Sequence, residues 1–246
     1  KSEEKIAMKL YPFNALLARM KYIARWGLMR AARTESLSEH TADAAILAHT
    51  LCLVSQTIFG TDVRPETVAV AALYHDASEI LTGDMPTPVK YKSEPLRAAY
   101  KAVEADAAHT LGALLPDAVR AGMDGYLSGG ILTQKERQLL KAADRLSALI
   151  KCVEEENAGN REFAGARAQQ TAALAAMECP EADYFMQHML PCYDWTLDEL
   201  SAEGRTPFGV YLTSPDYLGF VQDVAGLSAV CHAHGLPLLV DNAHGA

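Results

Sequence analysis

The segment VAVAALYHDASEIL (residues 68–81) is an apolar run broken by three ionisable side chains, His75, Asp76 and Glu79. Its Ala- and Leu-rich pattern predicts a helix over residues 65–81, opened by Pro65 in the first turn, where a missing N–H costs nothing. On such a helix residues 75 and 79 share a face, and 76 and 79 are neighbours. Ionisable groups on an apolar helix are expensive to bury unpaired. A bound metal or mutual hydrogen bonds would offset that cost.

Two further helices extend the argument. One is predicted over 38–59, with Ser36 or Ser38 as its cap, and carries His40 near its start. The other begins at a capping box, Thr133 with Glu136, runs to about 156 and stops at AGN (158–160). It carries Asp144 beside Leu140 and Leu146. Three helices could thus bring two imidazoles and two carboxylates to one cation. Mixed nitrogen and oxygen donors suit Mn, Co, Fe, Ni or Zn. A six-coordinate ion with four protein ligands keeps two positions for water and a phosphate oxygen, and would polarise the one while lowering the pKa of the other. His49, His109, His188, His232 and His234 read as ordinary surface or core histidines.

Over residues 1–204 helix follows helix. Further helices are predicted at 5–24 (disturbed at Pro12), at 94–115 behind Ser93, in a short stretch after Pro116, at 161–177 and at 182–190. Thr196 and Glu199 suggest one more short capped turn. TGDMPTPVKYKS (82–93), with Gly83, Pro86 and Pro88, reads as a loop placed for substrate contacts. Composition changes at 204–207. FGVYLT (208–213), an amphipathic stretch at 217–234 and LPLLVD (236–241) then read as strand, helix and strand. The fold class expected is therefore all-α, a helical bundle over 1–204 with a short C-terminal βαβ-like appendage at 205–246. That appendage is too small to bury a core of its own, and reads as a truncated fusion partner or a relict segment.

Composition bounds the function. The chain has 246 residues, 50% hydrophobic and 22% charged, enough for one sizeable core and too apolar for disorder. No apolar run approaches the roughly 18 residues of a membrane span, and KSEEKIAMKL at the start lacks the apolar centre of a secretory signal. A net charge of −9 disfavours a nucleic acid polymer as partner, whereas one metal and one arginine can offset a single phosphate. Five widely spaced cysteines without a CxxC pair read as buried thiols in a reducing cytoplasm.

His40, His75-Asp76 and Asp144 form the H…HD…D pattern of the HD-domain metal phosphohydrolases. Longer strings are more specific. RWGLMRAARTESLSEH (25–40), YHDASEILTGDMPTPVKY (74–91), KAADRLSALIKCVEEENAGN (141–160) and EADYFMQHMLP (181–191) resemble, in order, the bacterial 5'-deoxynucleotidases of the YfbR type over about residues 8–202. The resemblance implies an HD-domain helical bundle, a homodimer and a divalent transition metal such as Co or Mn, held by His40, His75, Asp76 and Asp144. It implies Glu79 as the catalytic carboxylate and Arg25 as the arginine that orients the phosphate. Trp26 would pack on the sugar and disfavour a 2'-hydroxyl, and Asp84, Met85, Pro86 and Thr87 would form the substrate loop. The activity implied is metal-dependent hydrolysis of deoxyribonucleoside 5'-monophosphates to deoxyribonucleoside and phosphate. The alternatives are an HD hydrolase of another nucleotide (a triphosphate, an alarmone or a cyclic dinucleotide) and a non-catalytic metal-binding helical module. Residues 208–246 resemble a fragment of the large domain of fold-type I pyridoxal-phosphate enzymes, the Orn/Lys/Arg decarboxylase group, with Asp241 at the position that pairs with the pyridine nitrogen. No lysine follows Lys151, so the Schiff-base residue is missing and a working pyridoxal-phosphate site is not expected.

Overall fold

The structure, a computed structural model, describes residues 9–90, 92–202, 209–215 and 221–242. It divides into two compact units, Lys1–Asp194 and Trp195–Ala246. The first unit is all-helical. Its helices are α1 (Phe13–Leu17), α2 (Leu37–Thr57), α3 (Pro65–Tyr74), α4 (Glu79–Thr82), α5 (Thr87–Lys90), α6 (Glu94–Gly112), α7 (Asp117–Leu127), α8 (Gln134–Asn157), α9 (Ala164–Ala175) and α10 (Pro180–His188), with 3₁₀ turns at Ala18–Tyr22, Arg161–Phe163 and Leu190–Asp194.

The local signals act as chemistry requires. Ser36, not Ser38, caps α2: its hydroxyl accepts from the Glu39 N–H at 3.2 Å while the Glu39 carboxylate accepts from the Ser36 N–H at 2.8 Å. Thr133 and Glu136 make the same reciprocal box at the start of α8. The core lies where α2, α3 and α8 meet. Leu51 and Ala48 from α2, Val68 and Ala72 from α3, and Leu139 and Leu146 from α8 are all fully buried there. Each buried leucine contributes about 1.5–3 kcal/mol, and the alanines between them let the helix axes approach closely.

The structure departs from the sequence expectation at the segment that matters most. The helix expected over 65–81 ends at Tyr74. Residues 75–78 form tight turns in which the N–H of Ala77 donates to Tyr74, that of Glu79 to Asp76 and that of Ile80 to Ala77, each spanning three residues instead of four. The same-face argument for His75 and Glu79 therefore does not apply. Adjacent residues on an α-helix point about 100° apart. His75 and Asp76 meet at one point because the backbone leaves the α pattern there. The His75 ring donates its Nδ1–H to the Ala72 carbonyl at 2.7 Å, the acceptor an unbroken helix would hold for residue 76.

Other boundaries shift more modestly. Within the helix expected at 5–24, residues 1–8 lie outside the described residues, and only α1 and the 3₁₀ turn form, because Ile23 turns extended and Ala24 bridges Ser36. The loop expected at 82–93 includes the single turn α5, the stretch after Pro116 is an 11-residue helix, and α10 starts at Pro180.

In the second unit, α11 (Leu197–Ala202) follows Thr196, whose hydroxyl accepts from the Glu199 N–H. β1 (Val210–Thr213) and β2 (Leu238–Asp241) pair in parallel, with Val210 opposite Leu238 and Thr213 opposite Asp241, and are joined through α12 (Val224–Ala233). The expected strand start at 208, the helix start at 217 and the boundary at 204–205 lie outside the described residues. Among the described residues no helix is long and apolar enough to cross a membrane.

The loop between Ala24 and Ser36 is tied to the end of α8 by one buried carboxylate. Glu155 accepts from Lys151 Nζ at 2.5 Å, from the backbone N–H of Ala32 at 2.6 Å and of Arg33 at 3.2 Å, and from Asn160 Nδ2 at 2.7 Å. Burial pushes its carboxyl up, but these donors, Lys151 first, outweigh it and bring it down to about 2. The folded value lies below that of an unfolded glutamate. The stabilisation is therefore complete above pH of about 4.5 and is lost as pH falls from there towards about 2. Glu155→Ala should destabilise the protein by about 3–5 kcal/mol at neutral pH, because it strands Lys151 in the interior. Thermal melts of the variant and the parent should converge as the solution is acidified through that window.

Candidate active site

His40 stands on α2 with no exposed surface, and its Nδ1 meets the Ser147 hydroxyl of α8 at 3.0 Å. With its own Nδ1–H given to a carbonyl, His75 turns its Nε2 towards the same point. His40 Nε2 lies 3.1 Å from Asp144 Oδ1 and 3.5 Å from Asp76 Oδ2; His75 Nε2 lies 3.1 Å from Asp76 Oδ2 and 3.8 Å from Asp144 Oδ1. One ligand atom each from His40, His75 and Asp76 falls within 4.8 Å of the others. Both Nε2 atoms are buried, and the nearby oxygens lie off their hydrogen-bonding directions, so neither has an aligned partner. Orphaned imidazole nitrogens with their far ring atoms fixed by a hydroxyl and a carbonyl, facing two carboxylates, are a donor set that fits a divalent cation.

The electrostatics agree with this reading. Burial disfavours the charged ring of His75, but Asp76 and Asp144 outweigh it and hold the imidazole protonated well above its ordinary range. Burial likewise works against the ionised forms of Asp144 and Asp76. The His40 and His75 rings beside it pull Asp144 well below the usual carboxylate range, and His75 lowers Asp76. A cation held here would compete with that proton. Glu79 behaves in the opposite way. It is buried, its Oε2 has no partner, and burial together with Asp76 and Asp84 pushes its carboxyl up to about 9 against the pull of Lys90 and Arg25. Its proton is retained at neutral pH. Burial also raises Asp84, against the attraction of Arg25.

Beside the cluster is a cavity of about 130 Å³, whose lining includes Asp76, Asp144, Glu79, Arg25, Asp84 and Met85. It adjoins a second cavity of about 180 Å³, lined by Arg25, Trp26, Asp84, Pro86 and Gln170 among others. The structure thus brings ten of the eleven expected residues to one region. The side chain of Thr87 lies outside the described residues. His109 instead meets Arg120, and His188 lies against the Tyr184 ring.

Several site residues were not legible beforehand. Glu35 Oε2 accepts from Arg25 Nη1 at 3.2 Å and from Trp26 Nε1 at 2.7 Å, so one carboxylate clamps both expected residues. The Trp26 ring also packs on Phe163 at a centroid distance of 5.3 Å. These contacts hold Trp26 at a φ of 60°, a left-handed backbone that costs a bulky residue on the order of 1–3 kcal/mol. Glu35 lies inside the 25–40 string, but its ten-residue distance from Arg25 corresponds to no helical or strand period. Ser147 could have been found, since three residues after Asp144 is the same face of α8. Gln170 comes from α9 and carries no signal.

A family model described as 5'-deoxynucleotidase YfbR-like matches residues 12–193. A 5'-deoxynucleotidase of Vibrio vulnificus (strain YJ016) is 43% identical over 189 residues, covering 77% of this chain and 97% of its own. The 5'-deoxynucleotidase YfbR of Shigella dysenteriae serotype 1 (strain Sd197) is 43% identical over 196 residues, covering 80% and 98%. Among solved structures, an HD-domain phosphohydrolase from Listeria innocua superposes with a TM-score of 0.65 at 24% identity, over 74% of this chain and 87% of that one. A cyanophage S-2L HD phosphohydrolase, bound to dA and one catalytic Zn2+ ion, superposes with a TM-score of 0.53 at 16% identity, over 72% and 95%. The two structures establish a shared fold. The resemblance of residues 208–246 to a pyridoxal-phosphate enzyme falls beyond the family match and rests on sequence alone. With the family model spanning most of the chain and relatives matched over nearly their full lengths, the chain belongs to the YfbR-like 5'-deoxynucleotidases.

Proposed function

We propose that this chain hydrolyses deoxyribonucleoside 5'-monophosphates to deoxyribonucleoside and phosphate, using a divalent transition cation, Co, Mn or similar, held by His40, His75, Asp76 and Asp144. The observation that carries the reading is the pair of buried, partnerless Nε2 atoms facing two carboxylates, next to a cavity walled by Arg25 and Glu79. The names of the relatives at 43% identity support the substrate class, and the dA and Zn2+ of the cyanophage protein are consistent with it.

When bound, the cation supplies Lewis-acid charge at the phosphoryl group and acidifies water. Arg25, steadied by Glu35, directs its guanidinium at the phosphoryl oxygens and spreads the charge that develops there. Water attacks phosphorus in line with the departing O5', a new P–O bond forms and the P–O5' bond breaks. Glu79 holds a proton at neutral pH and gives it to O5', and the proton lost by the attacking water restores the carboxyl. Trp26, locked by Glu35 and Phe163, presents a fixed apolar wall to the deoxyribose, where a 2'-hydroxyl would be crowded and left without a partner. Asp84, Met85, Pro86 and Thr87 form the lip of the site. This chemistry belongs to domain 1–204; we assign none to 205–246. The exposed apolar side chains Ile46, Leu53, Val70 and Leu73 on α2 and α3 support a homodimer, and five free thiols, four of them buried, support a cytoplasmic setting.

Purified protein with Mn2+ or Co2+ should release inorganic phosphate from dAMP, dGMP and dTMP and much less from the ribonucleotides. Release of pyrophosphate or triphosphate from other nucleotides, with none from these, would favour the other HD hydrolases. Trp26→Ala should narrow the gap between deoxy and ribo substrates, measured as the ratio of kcat/KM. Glu79→Gln should fold and keep its metal while turnover falls about 10²–10⁴-fold. Saturation with cation at about 100 times Kd should stabilise the protein by about 2.7 kcal/mol, seen as a rise in Tm that a chelator reverses. Asp144→Asn should show almost none of that rise.

A further inference from the structure

Three cations, Arg25, Lys90 and Arg145, line the cavity beside the cluster, among the carboxylates of Asp76, Asp84 and Asp144. Two of them are already committed. Arg25 Nη1 pairs with Glu35 at 3.2 Å. Lys90 Nζ pairs with Glu104 at 2.6 Å and lies 4.6 Å from the centre of the Tyr100 ring. Arg145 differs. Among the described residues it forms no ion pair, and its one side-chain hydrogen bond runs from Nη1 to the Gln170 Oε1 at 3.2 Å. Its Nε is buried and has no acceptor.

A guanidinium offers five donors in a fixed fork matched to phosphate and carboxylate oxygens. A buried donor of this kind left unmet is costly, and proteins rarely keep one without a ligand or water to meet it. Arg145 lines the same cavity as Asp76 and Asp144, so the uncommitted charge stands beside the cluster. The carboxylates lining the same cavity are not paired with it. What the cavity lacks, and what a dianionic monoester supplies, is a set of free acceptor oxygens.

We propose that Arg145 is a second guanidinium of the monoester subsite, contacting the phosphoryl group directly while Gln170 holds its plane by accepting one Nη1–H. Arg25 shares its charge with Glu35, so Arg145 carries much of the attraction that draws a phosphate dianion in among the carboxylates. The proposal rests on the monoesterase reading above.

Calorimetric binding of inorganic phosphate to the Mn2+-loaded full chain tests it without turnover. Arg145→Gln should weaken phosphate binding about tenfold or more, as loss of a charge-assisted hydrogen bond does. It should raise KM for dAMP by a similar factor, and leave inhibition by deoxyadenosine, Mn2+ content and Tm unchanged. Arg145→Lys, which keeps the charge but not the fork, should fall between the two, and it carries the measurement if the glutamine variant does not fold. Phosphate binding by these variants equal to that of the parent would overturn the proposal. So would an equal loss for phosphate and deoxyadenosine, which would place Arg145 on the nucleoside. If the parent neither binds phosphate nor hydrolyses any deoxynucleotide, the monoesterase reading itself fails; a parent that does both, with variants indifferent to phosphate, removes Arg145 alone.

Discussion

Two imidazole nitrogens buried against two carboxylates, without aligned hydrogens between them, form the constraint on which the rest of the molecule depends. No single helix can satisfy it. His40 comes from α2, His75 and Asp76 from the turn that ends α3, and Asp144 from the middle of α8. The alanines between these helices allow the approach, and the fully buried leucines supply the driving force that holds four ionisable groups together. The break at Tyr74 belongs to the same constraint, because consecutive residues on a regular helix cannot both face one point.

A second set of buried carboxylates positions what surrounds the cluster. Glu35 grips the start of the loop between Ala24 and Ser36, at Arg25 and Trp26, and Glu155 grips it near its end, at Ala32 and Arg33. Glu35 fixes the two side chains that face the cavity, and Glu155 fixes the backbone of Ala32 and Arg33 further along the same loop. Held in this way, Trp26 keeps a left-handed φ that its bulk disfavours.

The balance of charge explains why an acidic protein can serve an anionic substrate. The chain carries a net −9, and the cavity is walled by several carboxylates. Burial, with Asp76 and Asp84 nearby, pushes the Glu79 carboxyl up to about 9. A protonated carboxyl there removes one repulsive charge from the cavity wall. What then matters is how many cations in the wall are left unpaired, which no net charge reveals.

Legible in the sequence were the helical class, the cap of α8, a choice of two serines for the cap of α2 and the four residues of the cluster; Arg25 and Trp26 came through the family resemblance. Caps and periodicity are local, acting within one or two turns, and ionisable residues on apolar helices stand out whatever the fold. The order of the long strings 25–40, 74–91, 141–160 and 181–191 carried the family. Packing in three dimensions stops α3 at Tyr74, sets Glu35 between Arg25 and Trp26, selects Ser36 as the cap of α2 and brings Arg145 and Gln170 to one cavity. Those outcomes depend on contacts between elements distant in the chain. Whether a charge meets a partner there is set by packing in three dimensions, to which spacing along one dimension is blind.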